Sequence, residues 1–358
     1  MSRFDQTLAR KEAPKPKRRL FPLWMILITL LLLAHAGLSF IQRQLSAVNS
    51  DTTSYEFEVL PGWGASRVSN ALEAAGLIRS ARLFSAYLQY SDLDTSLGEG
   101  LYDLSPNMSA SDIAAALVAG GRPRTLRVVI PEGFRISDIA RTLGGTELGT
   151  EEAFLSLIEA PTELAPDYSP EGASLEGYLF PASYDVPVKS SPSEVLAQML
   201  SRFEEELSPE IKEQLAAKGY SVHDWVSLAS IVQAEAANAE EMPIIAGVFE
   251  NRLVDGMPLQ SDPTVAYGLG KDLPELDYGA GDFSVEHPWN TYVINGIPLG
   301  PIGNPGSDAL RAVLEPVTTN PEGQPYFFFL HGTDNGEPVF KPNVTFAEHT
   351  RDADLYLR

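Results

Sequence analysis

The chain has 358 residues, enough for two average domains, and 44% of them are apolar against 21% charged, a globular balance. It has no cysteine, which excludes a disulfide scaffold, a cysteine nucleophile and thiolate metal sites. The formal net charge of −22 makes it a poor partner for nucleic acid, whose phosphates need a basic face.

The first 20 residues run against that charge. They hold Arg3, Arg10, Lys11, Lys15, Lys17, Arg18 and Arg19 against Asp5 and Glu12, and read as a basic cytoplasmic tail. The stretch from Phe21 to Ile41 has no Asp, Glu, Lys or Arg, and a helix of about 20 such residues spans a bilayer core. Residues 21–41 are therefore expected to form a single-pass transmembrane helix, with the N-terminus cytoplasmic and the rest outside the cytoplasm. The triplet Ala34-His35-Ala36 also fits a signal-peptide cleavage site, so a cleaved leader is the alternative, and both readings export the remainder.

Residues 42–55 are polar and read as a linker. A weak repeat follows: Val59–Leu72, Leu104–Leu117 and Val129–Leu143 each pass from an apolar residue near a proline, through a turn and a serine, into a helical apolar spacing. Ser66, Ser111 and Ser137 are expected as helix caps or first-turn residues, and Glu56–Val59 and Thr125–Ile130 as strands. Strand–helix–helix–strand units of this kind resemble LysM modules, which bind glycan chains; a small packing unit without a ligand fits the same pattern. The expected organisation is a small LysM-like α+β domain over residues 56–150 and a larger mixed α+β catalytic domain over 151–358. The fold class is thus α+β.

In the C-terminal half, the acid- and proline-rich segment Ala160–Ser174 reads as a loop. Ser191-Pro192-Ser193-Glu194 opens a helix with a serine cap, an early proline and a glutamate three residues on. In Ser221–Glu241, Trp225, Leu228, Ile231 and Val232 recur at helical steps, and Glu235 continues that apolar stripe. A carboxylate there loses solvation, its pKa rises, and it can serve as a general acid near neutral pH. A glutamate at the rim of the stripe, paired or solvated, is the alternative. A helix from about Pro243 to Asp255-Gly256 follows, then two polar loops, Met257–Gly268 and His287–Gly306. Their amide and aromatic side chains suit sugar recognition. The run Tyr326–Leu330 reads as a buried strand.

The ordered segments Leu175–Pro187 (LEGYLFPASYDVP), Leu228–Ala236 (LASIVQAEA), Val248–Gly268 (VFENRLVDGMPLQSDPTVAYG), Trp289–Gly306 (WNTYVINGIPLGPIGNPG) and Thr345–Leu357 (TFAEHTRDADLYL) resemble the YceG-like endolytic murein transglycosylases. The resemblance covers essentially the whole chain. It implies a membrane-anchored enzyme that cuts the MurNAc–GlcNAc bond inside nascent peptidoglycan strands and leaves 1,6-anhydro-MurNAc ends. The second glutamate of the family's ASIVExE pattern is catalytic, and Glu235 occupies that position. Gln233 stands where the first glutamate is expected, Ala182 where an acid often follows LFP, and Thr350 where asparagine is usual. Gln260, Asp262, Thr264, Tyr267, Asn290 and Tyr292 are expected to hold the sugar, with turn-fixing and capping as alternative roles. No cofactor and no metal are expected, since the five histidines are scattered. Expected partners are peptidoglycan strands, the membrane and cell-wall synthases.

Two other functions fit the same residues. A hydrolytic muramidase needs a second carboxylate, for which Asp262 or Glu176 is available. A non-catalytic glycan-binding scaffold for cell-wall synthases would need no working acid.

Overall fold

The computed structural model describes residues 23–357, so the basic tail and the first two residues of the expected membrane segment lie outside the described residues. The chain divides into two compact units, with the boundary between Arg124 and Thr125.

The first unit begins with helix α1 (Leu23–Leu45), whose 23 residues are long and apolar enough to cross a membrane. It ends four residues later than the expected Phe21–Ile41. Strand β1 (Tyr55–Val59), helices α2 (Ala65–Ala74) and α3 (Ala81–Tyr90), strand β2 (Gly100–Leu104) and helix α4 (Ala110–Ala119) follow. β1 and β2 pair antiparallel, with Phe57 opposite Tyr102. β1 falls at the expected strand Glu56–Val59, whereas its partner β2 was not among the expected strands, and the other expected strand, Thr125–Ile130, belongs to the second unit. Alternation along the strands turns Phe57, Val59, Tyr102 and Leu104 inward, where they meet Val68, Leu72, Phe84, Leu88, Ile113 and Leu117. Ser66 and Ser111 sit one residue inside their helices, as first-turn residues rather than caps; Gly64 and Ser109 hold the cap positions.

The second unit opens with strand β3 (Thr125–Val129), which pairs antiparallel with β4 (Ser183–Pro187), Val128 facing Tyr184. That pairing ties residues 125–150 to the C-terminal body and not, as expected, to residues 56–124. Local apolar spacing does not reveal a partner strand so far along the chain, which is why the boundary was displaced. Helices α5 (Ile136–Gly144) and α6 (Glu151–Glu159) lie between the two strands in sequence. Ser137 is again a first-turn residue, behind the cap at Arg135. Ala182 contributes its carbonyl to Ile130 N beside the sheet, a backbone role that alanine fills as well as an acid.

Helix α7 (Pro192–Glu204) starts with the capping box read from the sequence, Ser191 with Glu194. After α8 (Pro209–Lys218) comes α9 (Val222–Glu235), the centre of the unit. Every residue from Trp225 to Val232 is buried, so this helix is enclosed on all sides rather than along a single stripe. Trp225 donates through Nε1 to Leu310 O at 2.8 Å, which satisfies its buried indole N–H. Helices α10 (Met242–Val254) and α12 (Ser307–Leu314) pack against α9, with α11 (Asp262–Leu269) between them in sequence. On α10, Gly247 lets the chain at Val317 approach closely: a Cβ there would lie 2.0 Å from Val317 O.

The hairpin β5 (Phe328–Asp334) and β6 (Glu337–Asn343) and helix α13 (Phe346–Tyr356) complete the unit. The segment 257–268 is not wholly a loop, as expected, because α11 begins at Asp262. Pro263 lies in its first turn, where a missing N–H costs nothing, so the proline starts a helix here. The segment 287–306 has no regular secondary structure, in accord with its reading as a loop.

Candidate active site

Glu235 is the last residue of α9, where that helix leaves the core. Its side chain opens into a groove of about 620 Å³, together with Arg252, Gln260, Asp262, Tyr292 and the aromatic edge of β5. Part of the residue remains accessible from the groove, while the protein packed around the carboxyl disfavours its charge. Burial pushes its pKa up to about 7; Ser261 opposes that rise, Asp262 adds to it and Arg252 opposes it.

Each neighbour is fixed by its own bonds. Ser261, buried at the start of α11, donates from Oγ to Glu235 Oε1 at 2.6 Å. Its own N–H donates to Thr291 Oγ1 at 2.9 Å. Arg252 on α10 donates from Nη1 to Leu259 O at 2.6 Å and from Nε to Phe327 O at 2.8 Å, so it holds the loop before α11 and the start of β5 together. Tyr292 donates its hydroxyl to Asp262 Oδ1 at 2.5 Å. Its ring meets Phe283 edge-on at 5.0 Å, and Phe283 stacks on Tyr278 at 3.8 Å. Gln260 has φ +52, a left-handed conformation rare for a side-chain-bearing residue, at the lip of the groove.

The structure thus brings Gln260, Asp262 and Tyr292 together with Glu235. Thr264 and Asn290 are buried and do not line the groove. Thr264 bonds Ser261 O and Thr291 Oγ1, while Asn290 donates to Phe283 O and Val285 O. Both shape the loops that carry the groove residues. Tyr267 lies on the same helix as Asp262 but lines a different pocket, where its hydroxyl donates to Glu176 Oε2 at 3.1 Å.

Glu176 is 3% exposed and receives hydrogen bonds from Ile136 N, Tyr267 and Asn304 Nδ2. It does not line the Glu235 groove, which leaves Asp262 as the only other carboxylate lining it among the described residues. Gln233 also faces elsewhere: its Oε1 accepts from Gly306 N at the start of α12. Glu235 therefore has a raised pKa with glutamine at position 233. Among the described residues no His, Asp and Glu cluster is arranged to hold a metal.

Sequence reasoning missed Ser261, Arg252 and the aromatic wall. Phe328 and Phe329 of the Tyr326–Leu330 run are only part-buried and face the groove, joined by Phe346 and His349 of α13. An aromatic run beside proline-rich loops was the available signal. His349 stacks on Phe328 at 5.5 Å, and burial together with the charge of Arg252 lowers its pKa.

Fold and groove together define a mixed α+β protein built around a buried helix that carries one acidic side chain into an open cleft. Residues 57–354 match the YceG-like family, and the chain belongs to it. It is 29% identical over 344 residues to a Streptococcus pneumoniae protein named endolytic murein transglycosylase, across 88% of this chain. The chain spans 61% of that relative's length. A Bacillus subtilis protein of the same name is 28% identical over 327 residues, covering 87% of this chain and 88% of its own. A solved yceG-like protein from Listeria monocytogenes is 29% identical with a TM-score of 0.51, covering 84% of this chain and 99% of its own.

Proposed function

We propose that the protein is a membrane-anchored lytic transglycosylase that cuts within peptidoglycan glycan strands, with Glu235 as its acid and then its base. The observation that carries this reading is the Glu235 carboxyl, raised to about 7 on the wall of an open groove lined by aromatic rings and the Gln260 amide. The names of the relatives support the reaction class.

In the first step protonated Glu235 donates to the oxygen joining N-acetylmuramic acid C1 to N-acetylglucosamine. The C1–O bond breaks and positive charge develops on the muramic acid ring. Ser261 keeps Oε1 engaged, which leaves Oε2 to carry the proton. In the second step the carboxylate takes the proton of the same sugar's C6 hydroxyl, and O6 bonds to C1. The product is a 1,6-anhydro ring, and Glu235 is protonated again. The attack is intramolecular, so its high effective molarity removes the need for an activated water and a second catalytic carboxylate. Gln260, Asp262 and Tyr292 are the residues we assign to the sugar. Thr264 and Asn290 support them, and Tyr267 acts through α11.

Helix α1 serves as a single-pass anchor, with the N-terminus cytoplasmic and both units outside. The β1–α2–α3–β2 order of the first unit resembles a LysM module and suits glycan binding. Cell-wall synthases remain its expected protein partners.

The test is cleavage of long, purified glycan strands by the full chain in detergent, followed by product size over time. The reading predicts early appearance of mid-length fragments with wild type and a loss of about 1,000-fold or more with Glu235→Gln. Binding without cleavage by wild type would instead indicate a scaffold.

A further inference from the structure

A second cavity of about 360 Å³ lies in the same unit, at the opposite end of α9 from Glu235. Its walls are Trp289, Tyr267, the loop around Ala173, and Leu299 to Pro301; His223 of α9 closes one side and Glu176 lies at its base. The size is that of a small-molecule site. His223 and Glu235 are 12 positions apart, about 18 Å along a helix at 1.5 Å per residue.

The cavity is built and rigid. His223 Nε2 donates to Leu299 O at 2.8 Å, which leaves Nδ1 to accept from Tyr178 at 2.6 Å. Trp289 donates its indole N–H to Gly300 O at 3.0 Å, so its ring is held in place. The Trp289 and Tyr267 rings are 5.6 Å apart and tilted by 50°. Glu176 is pinned by three donors from three separate segments, which fixes the Tyr267 hydroxyl above it.

The chemistry of the lining selects among occupants. No lysine or arginine lines the cavity, while the Glu171 carboxylate does, so phosphates and other anions are disfavoured. Two fixed aromatic planes suit the C–H face of a pyranose ring. The Ser174 hydroxyl, the Tyr267 oxygen and the Glu171 carboxylate at the rim suit its hydroxyls. An enzyme that cuts inside a polymer must also hold chain away from the broken bond.

We propose that this cavity is a second saccharide-binding site, which takes a sugar ring of the strand several units away from the bond cut at Glu235. This rests on the glycan-cleaving reading above, and the following experiment separates the two.

The full chain carrying Glu235→Gln is photo-cross-linked to an N-acetylglucosamine hexamer bearing a diazirine, and labelled peptides are identified by mass spectrometry. Label is expected on 289–301 or 170–176 as well as on segments of the Glu235 groove. Ala173→Trp fills the cavity, and Leu299→Trp does so from a position that is 61% exposed and needs no repacking. Each should remove the cavity label and leave the groove label. In the otherwise wild-type chain each should raise KM for long strands about tenfold, with KM for the shortest cleaved strand and the unfolding temperature unchanged. Groove label alone, or cavity label that persists in both variants, overturns the proposal while leaving cleavage intact. Cavity label in a protein whose wild type cleaves nothing supports the site and sinks the transglycosylase reading instead.

Discussion

Ser261 Oγ and Glu235 Oε1 are joined by a 2.6 Å hydrogen bond between residues 26 positions apart, linking the end of α9 to the start of α11. The bond favours the charged carboxylate and fixes which oxygen is free to carry the proton. Ser261→Ala removes both effects. The Glu235 pKa should rise further above its ordinary value, so the alkaline limb of the kcat profile moves to higher pH. The carboxyl should also lose its fixed orientation, with kcat falling roughly tenfold. A pH–rate series on the purified variant reads both.

Asp262 acts in the opposite direction. Its charge disfavours ionisation of Glu235, so Asp262→Asn should lower the Glu235 pKa from about 7. The acid must be protonated to begin the reaction, and the alkaline limb should therefore move to lower pH. Tyr292 also loses its carboxylate partner, so KM should rise. An unmoved limb in this variant would show that another group sets the profile.

Much of the site was legible because its chemistry sits in local pattern. Glu235 follows Ile231 and Val232 at helical spacing, and a carboxylate there stands out against an apolar helix. The α7 cap was equally plain, since Ser191 and Glu194 act within one turn. What stayed hidden depends on contacts across long stretches of chain. The β3–β4 pairing joins Thr125 to Pro187, and it moved the unit boundary. Tyr267 and Asp262 looked equivalent in sequence, yet they face different cavities from one helix. The aromatic wall at Phe328 and Phe329 was read as core because a run of aromatics carries no mark of which faces stay open.

Gln233 stands where the resemblance implies a glutamate, and its side chain meets Gly306 at the start of α12 rather than the groove. A glutamate oxygen can accept the Gly306 N–H equally well, close to a helix N-terminus that favours negative charge. Gln233→Glu should therefore leave kcat within about twofold and the pH profile unmoved. A large gain in activity would instead assign position 233 a part in the chemistry.

Glu176 makes stability depend on pH. Burial raises its folded pKa to about 8, above the ordinary 4.5, so the folded state disfavours its charge. The stability it allows is fully present below about pH 4.5 and is lost as pH rises through about 8, a change on the order of a few kcal/mol. Glu235 contributes the same sign up to about 7. Glu176→Gln should flatten the fall in unfolding temperature between pH 5 and 8, which calorimetry of the full chain in detergent can follow.

The most direct test of the account is the mass of the new sugar ends that the full chain leaves on purified glycan strands. The account predicts 1,6-anhydro ends, one water lighter than reducing ends, from wild type and none from Glu235→Gln. Reducing ends from wild type would contradict it, and would point to water activated in the same groove, with Asp262 as the second carboxylate.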